Sequence, residues 1–350
     1  MSHLGNKYNC NPKYLSEYMV DHCPEWDVVW ALANPEKYDI KGVRKVKFPS
    51  LRYFYELATC RIFVTNLRML KHFQKRKGQF YIQLWHGSLC TKMIEKDAEN
   101  TLSPNYIKRA KRDSQQMDIL ISGCQKMTDI FSNCFWYDGP ILPSGNPRQD
   151  IMFGNNKHII KHVRKKLKIN ESTKILLYAP SFRKDHNLEY YNLDCSKLCE
   201  VFQNKFGGKW KTLIRLHPNI SYLSDRLTKE LPDVIDVSSY DEIQELLLVA
   251  DAVISDYSSL IFDYAITKRP CFLYTPDLES YTHSDRGLYF NIQDLPFPYS
   301  KTIEELCQTI SSFSESKYKK DVESFWESIG SFEDGHSCER VVKYIYQHFS

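Results

Sequence analysis

The sequence predicts an α/β protein made of two parallel-sheet lobes, on three observations. Short apolar runs alternate with segments of helical period along almost the whole chain, the pattern of a parallel sheet with crossover helices. A segment marked by Pro143, Gly145 and Pro147 interrupts that alternation midway and reads as a linker. At 350 residues the chain suits two domains of ordinary size. The expectation is an N-terminal lobe over 1–150 and a C-terminal lobe over 151–350. Their sheets face a central cleft, with ligands beyond the carboxyl ends of the strands.

In the first half, Asn11-Pro12 reads as an N-cap followed by proline at the first helical position. Tyr14, Leu15, Tyr18 and Met19 then give that helix an apolar face. Val28 to Leu32 and Val46 to Phe48 are strand candidates, Leu51 to Ala58 a helix, Ile62 to Thr65 a strand and Leu67 to Gln74 a helix. Phe80 to Trp85 is a strand running into His86-Gly87-Ser88. Ile119 to Ile121 is another, followed by a helix from Lys126 to Phe135. In the second half, the charged run Lys157 to Lys168 reads as a solvated helix. Strands follow at Ile175 to Tyr178, Leu213 to Leu216, Val234 to Val237, Val253 to Ile254 and Phe272 to Tyr274. Ser239 to Glu242 and Thr302 to Glu305 have the capping-box pattern. The tail is helical from about Val322, ending in Val341 to Phe349.

Composition excludes several classes. The chain is 42% hydrophobic, which supports real cores, and its 47 basic against 43 acidic residues leave +4, too mild to imply a nucleic-acid partner. The 11 cysteines lack CxxC pairs or regular spacing and read as reduced thiols of a cytoplasm. They imply no metal site. No apolar run approaches the roughly 18 residues of a membrane span, and the N-terminus has no signal-peptide core.

Polar and cationic residues follow one strand after another. His86 follows the first-half strand ending at Trp85. Ser181 and Arg183 follow the strand at 175–178. Arg215 and His217-Pro218 follow the next, and Arg286-Gly287 lies beyond 272–274. The stretch Ala250 to Pro270 is a strand, a polar turn holding Asp256, Ser258 and Ser259, and a helix with Asp263. Such a turn can hold an anion at the helix end, although the commoner role of Ser258 and Ser259 is to cap the helix. Asp256 can equally orient the turn, and Asp263 can fix a neighbour. Arg183 and Arg215 can be salt-bridge partners. Together the set suits a diphosphate and a proton transfer.

In order and spacing, nine motifs resemble one family. They are Tyr8-Asn-Cys-Asn-Pro-Lys13, Gln83-Leu-Trp-His-Gly-Ser88 with Lys92, Gly145-Asn-Pro-Arg-Gln-Asp150, Leu177-Tyr-Ala-Pro-Ser-Phe-Arg183 and Arg215-Leu-His-Pro218. The rest are Ser255-Asp-Tyr-Ser-Ser259 through Phe262-Asp-Tyr264, Lys268-Arg-Pro270, Asp277-Leu-Glu279 and Arg286-Gly-Leu-Tyr289. The family is that of the CDP-glycerol glycerophosphotransferases, the teichoic-acid primases and polymerases and their capsule-synthesis relatives. The resemblance implies a GT-B fold of two Rossmann-like lobes, the C-terminal one holding the nucleotide. The C-terminal helix is a candidate to cross back. Two departures stand out. Ser88-Leu89-Cys90-Thr91 replaces the usual Thr-Pro-Leu-Lys, and only Met1 to Lys7 precede the Asn-Pro helix, where the family has an apolar strand.

On this reading a polyol phosphate, glycerol phosphate first, passes from CDP-glycerol or CDP-ribitol to a hydroxyl of a polymer or lipid-linked primer, and CMP leaves. His86 is the base on the acceptor side, with Gly87, Ser88 and Lys92 around it. His217, Arg215 and Arg183 serve the diphosphate, with Asp256, Ser258, Ser259 and Arg286 as further donor contacts. No metal or other cofactor is obligatory, no nucleic acid is a partner, and the protein sits peripherally on the inner membrane face. Two alternatives share the fold: a glycosyltransferase using a nucleotide sugar, and a non-catalytic nucleotide-binding scaffold.

Overall fold

The computed structural model describes residues 1–183, 188–191, 193–217, 220, 234–284 and 287–349. They form two compact units. The first comprises residues 1–89, 94–154 and the chain from Ile329 on, and the second residues 90–93 and 155–328.

The first unit carries a parallel sheet of β3 (Ile62–Thr65), β4 (Phe80–Gln83), β5 (Ile119–Ser122) and β6 (Ile141–Pro143), in the order β3-β4-β5-β6. A separate parallel pair joins β1 (Val29–Leu32) to β2 (Arg44–Lys47). All four residues of β5 are buried, as a strand covered on both faces requires. Leu15 and Met19 from helix Cys10–His22, Ile82, Leu84 and Ile121 from the sheet strands and their ends, and Ile345 from the last helix share one apolar cluster.

Several sequence expectations change here. The helix starts at Cys10, so Asn11 lies inside it, and its side chain bonds to other elements instead. Leu67 to Gln74 is not helical. Within it Met69 N donates to the distant Asp113 Oδ1 at 3.1 Å, and Lys75 N, just past its end, to Gln116 Oε1 at 2.6 Å. The Pro140–Asp150 stretch is no linker: it supplies β6 and a turn in which Pro147, Arg148 and Gln149 are buried. Helix Pro104–Ser114, capped by Ser103, is an element the sequence does not announce, its residues being mostly polar.

The chain from Ile329 on belongs to the first unit, not the second. Helix Ser337–Phe349 packs Val341, Val342 and Ile345 into the first unit's core. Its N-terminus is capped from within the same unit: Asp150 accepts from Ser337 N at 2.9 Å and Cys338 N at 2.8 Å. A carboxylate there satisfies orphan donors and meets the positive helix end.

The second unit is a six-stranded parallel sheet of β7 (Lys174–Tyr178), β8 (Trp210–Ile214), β9 (Val234–Asp236), β10 (Ala252–Ser255), β11 (Cys271–Tyr274) and β12 (Tyr299–Ser300). The order is β12-β11-β10-β7-β8-β9. Counted from β7, this is the 3-2-1-4-5-6 order of doubly wound dinucleotide folds, and it reverses between β7 and β10. The Thr302–Glu305 capping box is present in full. The expected box at Ser239 is replaced by Glu242, which caps its own helix by accepting from Gln244 N.

Candidate functional site

The topological switch predicts a ligand site beside the ends of β7 and β10, and the second unit's polar residues gather there. Ser255 Oγ donates to Ala179 O at 2.7 Å, tying the two strand ends together. Asp256 then accepts from Ser181 N at 2.9 Å and pairs with Arg183. Arg183 also donates through Nε and Nη2 to Asp277, at 2.8 and 3.1 Å. Asp277 accepts from Tyr257 OH at 3.0 Å, and Tyr257 stacks on Tyr281 at 3.8 Å. Arg183, Asp256 and Asp277 are all buried. Burial alone would lower the guanidinium's pKa, but the two carboxylates outweigh it and the charge is held firmly.

For two residues the structure shows the salt-bridge and turn-orienting contacts that the sequence left open beside a ligand role. Arg183 is bound by two carboxylates and Asp256 by a guanidinium and a backbone N–H, so both shape the turn from beneath. A guanidinium so neutralised has little charge left for a diphosphate.

Ser258 and Ser259 sit half-buried on the turn. The capping role expected of them is weak. Ser259 occupies the N-cap position without a side-chain cap bond, and Ser258 Oγ meets Leu260 N at 3.5 Å, the outer limit of a hydrogen bond. The helix they open, Leu260–Ala265, has six residues, so its dipole adds little and the turn's own groups matter more. Asp263 fixes a neighbour, accepting from Gln244 Nε2 at 2.7 Å.

Arg215 follows β8 and donates to Tyr240 O at 2.6 Å. Burial lowers its pKa. His217 lies beside Phe182 at 5.7 Å between ring centroids. Its pKa is lowered by burial first, then by Lys92 and Arg215. That places Lys92 among the second unit's residues. Residues 90–93 belong to this unit: Met93 N donates to Gly287 O at 2.7 Å and Tyr289 N to Thr91 O at 2.9 Å. Lys92 Nζ lies 5.1 Å from the Tyr281 ring centre. Arg286 and Pro218 lie outside the described residues.

In the first unit, His86 follows β4. Its Nδ1 is 3.0 Å from Asn66 O. A carbonyl only accepts, so Nδ1 carries the proton and Nε2 keeps its lone pair. Burial lowers the ring's pKa to about 4, with a smaller push from Arg148 against the bond to Asn66, so the imidazole is neutral at pH 7.

The His86 loop is held from several directions. Asn11 Nδ2 donates to Leu84 O at 3.0 Å and Trp85 O at 3.1 Å. Asn11 Oδ1 accepts from Arg148 N at 3.0 Å, and Arg148 Nη1 donates to His86 O at 2.6 Å. Glu333 accepts from Asn146 N at 3.1 Å and from Asn146 Nδ2 at 2.8 Å. These bonds keep Trp85 at φ 49°, a strained backbone for a bulky residue. A Cβ on Gly123 would come within 2.2 Å of Asn146 Nδ2, so only glycine fits there. Ser88 is buried beside this loop. The sequence gives Asn11 only a helix-capping role and places Asn146 and Arg148 in a motif without one, and Asn66 and Glu333 carry no signal in it.

Two parallel α/β units, the second doubly wound, with a neutral imidazole after one strand and an ion-paired turn at the switch point, define a GT-B-type protein. A family model described as CDP-Glycerol:Poly(glycerophosphate) glycerophosphotransferase matches residues 1–347, and the chain belongs to that family. It is 30% identical over 98% of its length to a teichoic acid poly(glycerol phosphate) polymerase of Staphylococcus epidermidis, covering 49% of that protein. It is 28% identical to a teichoic acid glycerol-phosphate transferase of Staphylococcus aureus, covering 91% of it and 98% of this chain. The chain thus spans about half the length of the first of these curated relatives. Among solved structures, a single-histidine variant of the wall teichoic acid polymerase TagF superposes with a TM-score of 0.86 and 30% identity. The match covers 99% of this chain and 88% of that one.

Proposed function

We propose that the protein transfers glycerol phosphate from CDP-glycerol to a hydroxyl of a teichoic-acid-like polymer or its lipid-linked primer, releasing CMP. The acceptor oxygen attacks the glycerol-bearing phosphorus, the bond from that phosphorus to the CMP oxygen breaks, and the hydroxyl proton goes to His86 Nε2. The observation that carries this reading is the tautomer of His86: Nδ1 is committed to Asn66 O, which leaves Nε2 neutral and basic. Ser258, Ser259 and the turn's N–H groups are the donor contacts. His217 and Lys92, with Arg215 behind them, meet the charge that develops on CMP, and Arg286 is a further donor contact. Arg183 and Asp256 hold the turn. Gly87 and Ser88 stand on the acceptor side.

Glycerol is preferred to ribitol because the two relatives described above are named for glycerol phosphate. The reading needs no obligatory metal and no nucleic acid. We also propose peripheral binding to the inner membrane face. Among the described residues no helix is long and apolar enough to cross a membrane. Helix Leu51–Thr59 instead exposes Leu51, Phe54 and Tyr55 alongside Arg52, the composition of an interfacial surface.

The test incubates the protein with CDP-glycerol or CDP-ribitol and crude acceptor and measures the nucleotide released. CMP from CDP-glycerol supports the reading. A nucleoside diphosphate released from a nucleotide sugar would replace it with glycosyl transfer, and binding without turnover would make the protein a scaffold. Salt-sensitive sedimentation with anionic vesicles tests the membrane proposal.

A further inference from the structure

Gln83 is the last residue of β4 and stands three positions before His86. Its side chain is wholly buried, and the proposed mechanism gives it no role. Both ends of its amide are nevertheless committed. Oε1 accepts from Trp85 N at 3.0 Å. Nε2 donates to Leu67 O at 3.1 Å and to Tyr81 OH at 3.0 Å. Trp85 N only donates and Leu67 O only accepts, so these two backbone groups fix which way the amide points.

The bonds of neighbouring residues complete a pattern. Three successive carbonyls, at the end of β3 and just past it, go to the segment from Gln83 to His86. Thr65 O accepts from Leu84 N at 2.8 Å, Asn66 O from His86 Nδ1 at 3.0 Å and Leu67 O from Gln83 Nε2. The middle bond sets the tautomer of His86, and the bond that follows it is made by Gln83. The other end of the amide holds Trp85, the residue before His86, at φ 49°, a conformation that bulky side chains resist. Tyr81 OH, which accepts from the amide, donates in turn to Asp113 at 3.1 Å, and Asp113 accepts from Met69 N at 3.1 Å. The Leu67 carbonyl is thus anchored on its far side as well.

We propose that Gln83 is a positioning residue for His86: its amide holds the Asn66 carbonyl against Nδ1 and so keeps Nε2 as the basic nitrogen. The proposal rests on the reading of His86 as the base. Without the donor of Gln83 the Leu67 carbonyl is released, the Asn66 peptide beside it can turn, and Nδ1 loses the acceptor that selects its proton. The two neutral forms of the imidazole then compete. In one of them Nε2 already carries the proton and cannot take another from the substrate hydroxyl.

The test reads tautomer and rate separately. Nitrogen NMR of protein labelled in its histidine rings, with the His86 signals assigned by their loss in His86→Asn, should show the wild type protonated on Nδ1 alone. Gln83→Met keeps the length of the side chain and removes both amide bonds. It should show both tautomers of His86 and lower kcat for CMP release about tenfold to 100-fold, with KM for CDP-glycerol nearly unchanged. Gln83→Asn has an amide one methylene too short to bond Trp85 N and Leu67 O together, and should show the same two effects in smaller measure. A glutamine that serves stability alone predicts lower melting temperatures with the wild-type tautomer and the wild-type kcat in the folded variants, and that result overturns the proposal. Protonation of wild-type His86 on Nε2 overturns it too. Loss of the tautomer preference in the Gln83 variants supports it even where folded His86→Ala turns over at the wild-type rate, a result that removes only the reading of His86 as the base.

Discussion

The turn after β10 and the loop after β4 solve opposite electrostatic problems. In the second unit a buried guanidinium is clamped between two buried carboxylates, and the result is a stiff, ion-paired platform beneath Ser258 and Ser259 in which the carboxylates outnumber the cation. In the first unit one imidazole is kept uncharged by burial and by a carbonyl on its Nδ1. Removing a partner from the first frame leaves a naked charge in low dielectric. Removing the imidazole from the second leaves only a hole. The second unit's polar residues should therefore report mainly on stability, and His86 mainly on rate.

The sharpest break in that comparison is Arg183→Met. It leaves Asp256 and Asp277 buried without their cation and should cost about 3–5 kcal/mol of stability, read as a lowered urea midpoint. A variant as stable as the wild type, with weakened donor binding only, would show that Arg183 serves ligand and not the turn.

His86→Ala should lower the transfer rate about 100-fold or more, with the melting temperature and the calorimetric affinity for CDP-glycerol nearly unchanged. Wild-type turnover by this folded variant would remove the base from the proposed mechanism.

Ser259→Asp probes the platform surface. Ser259 makes no cap bond, so folding should be indifferent, while a carboxylate on the turn should repel CDP-glycerol and CMP and weaken both about tenfold, roughly 1.4 kcal/mol. Unchanged affinity would move the nucleotide site elsewhere.

A smaller effect is in pH. His86 titrates near 4 in the fold against 6.5 as its ordinary value. The unfolded chain thus binds its proton first, and stability falls as pH drops from about 6.5 toward 4, with the full contribution present above 6.5. His3, whose ring centre is 6.1 Å from that of His86, is lowered to about 3 and acts in the same direction. The melting temperature of the wild type should fall relative to that of His86→Asn as the pH drops through this window. Parallel curves would mean that His86 is solvated.

Much of the candidate site was legible because strand ends are readable. His86, Arg183, Asp256 and Ser258 each follow an apolar run that became a strand or its end. Their partners were not legible. Asn66, Asn11 and Glu333 lie 20, 75 and 247 positions from His86 in sequence, and no local pattern links a carbonyl, an amide and a carboxylate across such separations. Leu67 to Gln74 failed for a related reason: its apolar spacing is helical, but the distant Asp113 takes the backbone donor of Met69.

By itself the sequence determined what periodicity and composition control: the alternation of strand and helix, the parallel α/β character of both halves, the turn after β10 and the motif order that marks the family. Those are short-range properties, set by which residues fit a buried strand or a capped helix. Tertiary structure decided the rest. It returned the chain from Ile329 to the first unit through Asp150, joined Arg183 and Asp256 into one ion-paired frame, set Lys92 beside His217, and chose the tautomer of His86. Each of these depends on which buried polar atoms meet, and a buried group must be satisfied by whatever the fold brings near it.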